Sequence, residues 1–322
     1  MECYLGIDLG SVSTNFALID RYGKVIKKIY LRTAGRPIET IKNGLKMLRE
    51  DLDSDIEIKG VGTTGSGRKL ASVIVGADVV KNEITAHAVA SLSQIPEVQT
   101  ILEIGGQDSK IIILRDGVVV DFAMNTVCAA GTGSFLDRQA QRLGIPIELF
   151  GEIALKSKNP TRIAGRCAVF AESDMIHKQQ LGYKVEDILK GLCQALVRNY
   201  LANVAKGKEI KPPVVFQGGV AANSGIKKAF EEELGMEVLV PEHYDVMGAL
   251  GAAILAKKAI SQNRQKKTNF YGFEAAFKEH RAETFECGGC PNLCEVVQIY
   301  QGDKLMARWG DRCGRWSQDV AV

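Results

Sequence analysis

Apolar residues in this chain fall into short runs, and the order of those runs repeats. Ile7-Asp8-Leu9-Gly10-Ser11-Val12-Ser13-Thr14-Asn15-Phe16-Ala17-Leu18-Ile19 and Leu102-Glu103-Ile104-Gly105-Gly106-Gln107-Asp108-Ser109-Lys110-Ile111-Ile112-Ile113-Leu114 share one pattern. In each, an apolar strand ends in an acid and a glycine, passes a small polar turn and enters a second apolar strand. Each then turns at a glycine, Tyr22-Gly23 or Asp116-Gly117, into a third strand. Helical periodicity follows at 38–48 in the first half and 133–143 in the second. Two such halves predict an α/β chain of duplicated lobes with a cleft between them.

Further along, 185–205 reads as one long amphipathic helix and 213–216 as a short buried strand closed by Gln217-Gly218-Gly219. Residues 236–240 read as another strand, and 247–257 as a helix of small residues. The stretch 257–278 is rich in Lys, Asn and Gln and reads as a linker or surface excursion. Segment 287–313 holds half of the cysteines and reads as a separate small module. The expected division is a first lobe at 1–95, a second at 96–258, and a linker with a cysteine-rich module at 259–322.

The 322 residues suffice for two lobes and an appendage. A hydrophobic content of 46% and a charged content of 25% are those of a soluble globular protein. A net charge of +3 gives no argument for nucleic acid or a membrane surface. Asp8 interrupts the apolar stretch after Met1, so no signal peptide is expected, and the apolar run 246–256 is too short to span a bilayer. The expected setting is the cytoplasm. There the eight cysteines are metal ligands or buried residues rather than disulfides.

Backbone N–H groups and hydroxyls of Asp8-Leu9-Gly10-Ser11-Val12-Ser13-Thr14 are suited to surround a polyphosphate. Asp8 and Asp108, on opposite lobes, suit Mg²⁺ held through water, and Gln107 suits orienting the attacking water. Gln217-Gly218-Gly219 would let the chain pass close to a nucleotide's base or ribose. Read singly, each glycine loop is an ordinary tight turn. Two acid–glycine loops in register, with a third glycine pair, favour the nucleotide reading. No Walker A sequence is present, so the chain is not a P-loop NTPase.

Cys128 lies in Asn125-Thr126-Val127-Cys128-Ala129-Ala130-Gly131-Thr132-Gly133, and Cys167 in Ala164-Gly165-Arg166-Cys167-Ala168. Both sit at the expected mouths of helices, where amides stabilise anions. One chain offers two such thiols; a two-fold dimer offers four, the ligand set of a tetrathiolate iron–sulfur cluster. Burial as packing residues is the competing reading. Cys3 and Cys193 read as core, His87 as a packing or hydrogen-bonding residue, Glu83 as an exposed helix acid, and His177 and Lys178 as a solvated helix end. Cys287-x2-Cys290-x3-Cys294 with Cys313 reads as a zinc or iron–sulfur site, or as an unliganded redox-active group.

The loops Gly6-Ile7-Asp8-Leu9-Gly10-Ser11, Ile104-Gly105-Gly106-Gln107-Asp108-Ser109 and Phe216-Gln217-Gly218-Gly219-Val220 resemble those of the actin–hexokinase–heat-shock-chaperone ATPase superfamily. Over roughly 3–258 the chain resembles activators of 2-hydroxyacyl-CoA dehydratases and the related benzoyl-CoA reductase ATPase subunits. The Gly-Gly-Gln-Asp and Asn-Thr-Val-Cys-Ala-Ala-Gly-Thr-Gly motifs carry the resemblance. It implies an actin/hexokinase-like fold, with ATP or ADP bound through Gly10, Ser11, Ser13, Thr14, Gly105, Gly106, Gly131, Thr132, Gly133, Gln217, Gly218 and Gly219. It also implies a homodimer with one 4Fe–4S cluster on its two-fold axis, made from Cys128 and Cys167 of each subunit and sensitive to oxygen. Electrons would come from a donor such as a ferredoxin or flavodoxin and pass singly, driven by ATP, to a partner metalloenzyme. The cysteine segment resembles a module on some longer homologues. Two other readings are a small-molecule kinase of the same superfamily and a nucleotide-switched sensor or scaffold whose end module binds zinc.

Overall fold

The computed structural model describes residues 1–52, 55–125, 128–262 and 267–317. Thr126 and Val127 of the Cys128 motif, part of the 257–278 stretch and the last five residues lie outside them. The chain divides into two compact units, Met1–Ala86 with Gly248–Val322, and His87–Met247.

The first unit is built on a five-stranded sheet in the order β3-β2-β1-β4-β5. Its strands are β1 (Glu2–Leu9), β2 (Ser13–Asp20), β3 (Val25–Arg32), β4 (Glu57–Thr64) and β5 (Val79–Val80). The first three pair antiparallel as a meander, and β4 and β5 add in parallel through helices α1 (Pro37–Asp51) and α2 (Arg68–Val75). Proline opens α1, where a missing N–H costs nothing, and Ile41, Leu45 and Leu48 form its buried stripe.

The second unit repeats this topology. Helix α3 (Glu83–Gln94) leads to β6 (Thr100–Ile104), β7 (Ser109–Arg115) and β8 (Val118–Asn125). Helices α4 (Gly133–Leu143), α5 (Ile147–Leu155), α6 (Ala168–Gln180) and α7 (Val185–Asn203) precede β9 (Val214–Gln217), α8 (Ser224–Leu234) and β10 (Val238–Leu239). The sheet order β10-β9-β6-β7-β8 matches the first sheet strand for strand. Both Asp116 and Gly117 take positive φ (51° and 73°) at the β7–β8 turn, as the Asp-Gly pair leads one to expect. Tyr200, Phe216 and Phe230 pack edge-to-face at the centre of this unit, with centroids 5.2–5.3 Å apart. The strand expected at 236–240 is reduced to two residues.

Helix α9 (Met247–Gln262) departs from the expected division, because from Gly248 onward it belongs with the first unit. The reason is contact. Gly6 on β1 and Gly62 on β4 lie so close to the α9 backbone that a Cβ on either would overlap the carbonyl of Ala249 or Ala252. The sequence boundary at 258 therefore falls inside a helix that covers the first sheet, and the boundary at 95 falls just after α3, past the division between Ala86 and His87.

The expected linker is also different. Its described part, 267–278, is a strap on the first unit: Asp78 accepts from the Thr268 hydroxyl (2.7 Å) and the Asn269 N–H (2.8 Å). Tyr271 N–H donates to Val75 O (3.0 Å), and Ala275 and Ala276 join the core. Beyond it, β11 (His280–Glu286), β12 (Glu295–Gln301) and β13 (Lys304–Trp309) form a separate antiparallel sheet.

A polar lock is buried in the second unit. Gln217 Oε1 accepts from Ser91 Oγ (2.7 Å), and its Nε2 lies 2.9 Å from His87 Nδ1. Since Oε1 is the acceptor, Nε2 donates and His87 is neutral. Burial, helped by the Lys110 charge, lowers its pKa to about 3. The unfolded chain therefore binds the proton first as pH falls. The His87 contribution should be full above about pH 6.5 and be lost towards pH 3, at up to about 1.4 kcal/mol per pH unit. Urea unfolding of wild type and His87→Gln across that window should show a shallower pH dependence in the variant. Parallel curves would contradict the buried neutral imidazole.

Candidate functional site

In each unit the loop after the first strand is a tight hairpin closed in the same way. Gly10 N–H donates to Ser13 O (2.9 Å), and Gly105 N–H to Asp108 O (3.0 Å). Register makes Asp8 the counterpart of Glu103, and Asn15 that of Lys110. The halves have diverged at both positions. Asp8 remains half-buried, and its carboxylate is flanked by Gly65 and Gly248; a Cβ on either would overlap it. Glycine at these two positions leaves the carboxylate room, a requirement the sequence did not reveal. Ser11 is exposed and Ser13 half-buried on the rim of the loop. Thr14, however, is buried, and its hydroxyl pairs with that of Thr33 (2.9 Å), which in turn donates to Gly10 O (2.9 Å). Thr14 thus braces the loop from beneath.

In the second unit Lys110, with a side chain 5% exposed, donates to Glu103 Oε2 (3.1 Å) and Asp108 Oδ2 (2.8 Å). Burial works against the ammonium, but the two carboxylates outweigh it and raise the Lys110 pKa. Asp108 is thereby held in place at the loop end, beside exposed Gln107. The hydroxyl of Tyr200 donates to Lys110 O (2.6 Å) and ties β7 to α7. A lysine inside the apolar run Lys110-Ile111-Ile112 was the available signal for this triad.

The residues from Gly131 to Gly133 are tied to the glycine loop and to the preceding turn. Gly133 N–H donates to Gly105 O (2.8 Å), and Ser134 N–H and Oγ to Gly106 O (2.9 and 2.6 Å). Thr132 is buried, with its hydroxyl on Ala129 O (2.8 Å). The first amides of α4 are thus bonded to the glycine loop itself. Gln217 likewise faces inward, to His87 and Ser91, while Gly218 (φ 89°) gives its N–H to Tyr244 O (2.9 Å) and Gly219 is exposed.

Cys128 does not cap an α-helix. It caps a single 3-10 turn (Ala129–Gly131), and α4 starts after Thr132. Asn125 clamps it from both sides: Cys128 N–H donates to Asn125 Oδ1, and Asn125 Nδ2 to Cys128 O, each at 2.9 Å. Cys167 caps α6, as expected. Its loop is held on α7, where Arg198 donates to Ile163 O (2.8 Å) and Asn199 to Arg166 O (3.3 Å). Asp174 of α6 accepts from Ala164 N–H (2.8 Å). The 3-10 turn also packs on α6 and α7. Glu172 of α6 pairs with Arg138 (3.1 Å) and Arg142 (2.8 Å) of α4, so the helices that follow the two cysteines are cross-braced. Both thiols are free and half-buried. Val169 and Phe170, directly after Cys167, are 69% and 66% exposed.

Cys3 and Cys193 are core residues, and burial pushes the Cys193 thiol up to about 12. Glu83 lies 3.7 Å from Arg68. Cys287, Cys290, Cys294 and Cys313 are free thiols. Among the described residues no three Cys, His, Asp or Glu side chains are gathered into a ligand set, so this quartet is not assembled as expected. No helix among them is long and apolar enough to cross a membrane.

Residues 5–256 match the model of the BadF/BadG/BcrA/BcrD ATPase family. The chain is 33% identical over 272 residues to the 2-hydroxyisocaproyl-CoA dehydratase activator of Clostridioides difficile, covering 82% of this chain and 98% of that protein. It is 34% identical over 260 residues to the (R)-2-hydroxyglutaryl-CoA dehydratase activating ATPase of Acidaminococcus fermentans, covering 79% and 96%. A solved structure of the Clostridium difficile activator with bound ADPNP superposes with a TM-score of 0.72 at 33% identity, over 83% of this chain and 98% of that one. The fold is the mixed α/β actin/hexokinase-like ATPase fold.

The Lys110 triad has a direct test. Lys110→Met leaves two buried or half-buried carboxylates without their cation and should destabilise the chain by about 3–5 kcal/mol. Adding Glu103→Leu should recover much of that loss in urea unfolding. Equal stability of wild type and the single variant would remove the triad from the fold's support.

Proposed function

The chain belongs to the BadF/BadG/BcrA/BcrD ATPase family, and on that premise we propose that it is an ATP-driven activator of a 2-hydroxyacyl-CoA dehydratase-type metalloenzyme. In this reading the chain works as a homodimer. Cys128 and Cys167 of each subunit hold one 4Fe–4S cluster, which supplies low-potential single electrons when bound. Asp8 and Asp108 act on ATP through Mg²⁺, with Gln107 orienting the attacking water. A small ferredoxin- or flavodoxin-type protein supplies the electron.

The observation that carries the reading is the link between the glycine loop and the cysteine loop. Gly105 and Gly106 accept from the first amides of α4, which follow directly on the Cys128 turn. A shift of the loop on binding or losing a γ-phosphate is transmitted through backbone hydrogen bonds to Cys128, and through Glu172 to the Cys167 helix. The donor set fits the group: two free, half-buried thiols, Cys167 at the N-terminus of α6, where helix amides favour the negative charge of a tetrathiolate cluster, and Cys128 at the head of a 3-10 turn packed on that helix. Val169 and Phe170 beside Cys167 suit a surface covered by a second copy. A further apolar face, Val118, Val120, Phe122 and Met124 on β8, leads towards the Asn125 clamp and suits contact with another protein.

Two variants separate the two halves of this reading. Asp108→Asn should lower ATP hydrolysis by about a hundredfold or more while the anaerobically purified protein keeps its cluster signal in EPR. Cys128→Ser or Cys167→Ser should lose that signal and weaken the dimer, with nucleotide binding retained. Unchanged hydrolysis in Asp108→Asn removes Asp108 from the mechanism. A full-strength signal in Cys128→Ser means that the cluster is held elsewhere.

A further inference from the structure

The family match ends at residue 256, and the dehydratase-activator reading uses nothing in the sheet beyond it. That sheet is thinly supported. Among the described residues from 280 to 317, the buried side chains are Cys287, Val296, Ile299, Met306 and Ala307, and β11 is exposed over most of its length. Three strands with so small a core are marginal without an added crosslink or metal. The four free thiols of this segment are at one end of the sheet.

The pairing of β11 with β12 ends at Glu286 opposite Glu295, so Cys287 and Cys294 are the next facing pair. They are joined by Cys287 N–H donating to Cys294 O (2.8 Å). Cys290 lies in the connecting loop, where its carbonyl accepts from Leu293 N–H (3.2 Å). Trp309 at the end of β13 pairs with Val297 near the start of β12, so the third strand delivers the chain to the same end.

The segment after β13 then folds back over the hairpin tip. Gly310 (φ 116°) lies against the Glu295 carbonyl, next to Cys294. The Trp316 indole N–H donates to Cys287 Sγ (3.0 Å), and its ring meets Phe285 edge-on at 5.1 Å. Arg315 reaches the same corner: a Cβ on Gly289 would lie 2.8 Å from Arg315 Nη1 and 3.4 Å from Cys287 Sγ. Residues on both sides of Cys313 are thus fixed to the neighbourhood of Cys287 and Cys294.

We propose that Cys287, Cys290, Cys294 and Cys313 form a closed, structural site for a single zinc-class divalent ion. A divalent ion with four thiolates carries a net charge of about −2. Arg315, at the Gly289–Cys287 corner, and Arg308, over the Trp316 ring at 5.3 Å, bring positive charge to this end of the sheet, and the indole N–H on Cys287 Sγ is the kind of second contact that orients a ligating sulfur. The four thiols are not gathered into a ligand set, so binding an ion has to bring Cys290 and Cys313, both exposed on irregular segments, towards Cys287 and Cys294. Metal binding then adds the support that the core of this sheet lacks.

The test uses the full chain, purified anaerobically. Metal and acid-labile sulfide are measured in wild type, in a Cys128→Ser/Cys167→Ser chain and in a Cys287→Ser/Cys294→Ser chain. About one zinc per chain is expected in the first two and none in the third. This readout is independent of the proposed bridging cluster, because the Cys128→Ser/Cys167→Ser chain should lose its iron and keep its zinc. Should the Cys287→Ser/Cys294→Ser chain fail to fold, wild type loaded with Co²⁺ should give the absorption of a tetrahedral thiolate site. Iron and sulfide that survive in the Cys128→Ser/Cys167→Ser chain would overturn the single-ion assignment. A metal-free wild type whose four thiols all react freely with a thiol reagent would overturn the site.

Discussion

Two backbone hydrogen bonds, from Gly133 N–H to Gly105 O and from Ser134 N–H to Gly106 O, hold the chemistry of the second unit together. They connect a loop that ends in Asp108 to a segment that begins with Cys128. Without them the glycine hairpin and the cysteine turn would be separate surface features. With them, neither moves without displacing the start of α4. The orphan amides that open every helix are usually satisfied by a side-chain cap, water or an anion. Here Thr132 makes no side-chain cap, and the loop carbonyls take that place. The Asn125 clamp and the Glu172 pairs extend the connection to Cys128 and to the helix behind Cys167.

Duplication explains how the loop itself came to be asymmetric. The two sheets share strand order and hairpin geometry, and Asp8 and Glu103 occupy one equivalent position. Lysine at 110, where the first half has Asn15, pairs with both Glu103 and Asp108 and fixes the two carboxylates of the second loop. In the first half, Gly65 and Gly248 leave room for the Asp8 carboxylate. One topology thus supports two different carboxylate environments, each set by a few residues around it.

Much of this was legible in the sequence, and the limits follow physical lines. The repeated strand–turn–strand pattern showed both meanders, because continuous apolar runs and the Tyr22-Gly23 and Asp116-Gly117 turns leave a local signature. α4 and α7 were legible from their periodicity, and Cys167 from its place before a helix. What depended on packing between distant segments was not legible. The run of alanines and glycines in α9 reads as neutral until Gly6 and Gly62 are set beneath it. The strap at 267–278 was judged on its polar composition, although Phe270, Phe273, Ala275 and Ala276 signalled that it packs. Thr14 and Gln217 sit in glycine loops that suit a nucleotide, and only the fold shows that their side-chain hydrogen bonds run to Thr33 and to His87 and Ser91. The spacing of Cys287, Cys290, Cys294 and Cys313 reads as a metal site, but spacing alone does not specify whether sulfur atoms converge, and among the described residues they are not gathered into a ligand set.

The central claim is that the nucleotide loop and the cysteine pair form one mechanical unit. A nucleotide can alter the cysteines' surroundings only if ATP and ADP favour different arrangements of the loop. The most direct measurement is the reduction potential of the proposed cluster in the proposed dimer, poised first with ADP and then with a non-hydrolysable ATP analogue. The account predicts that the potential and the EPR line shape both change with the nucleotide. Identical potentials and spectra in the two states would contradict it, leaving an ATPase loop and a cysteine site that share a chain without acting on each other.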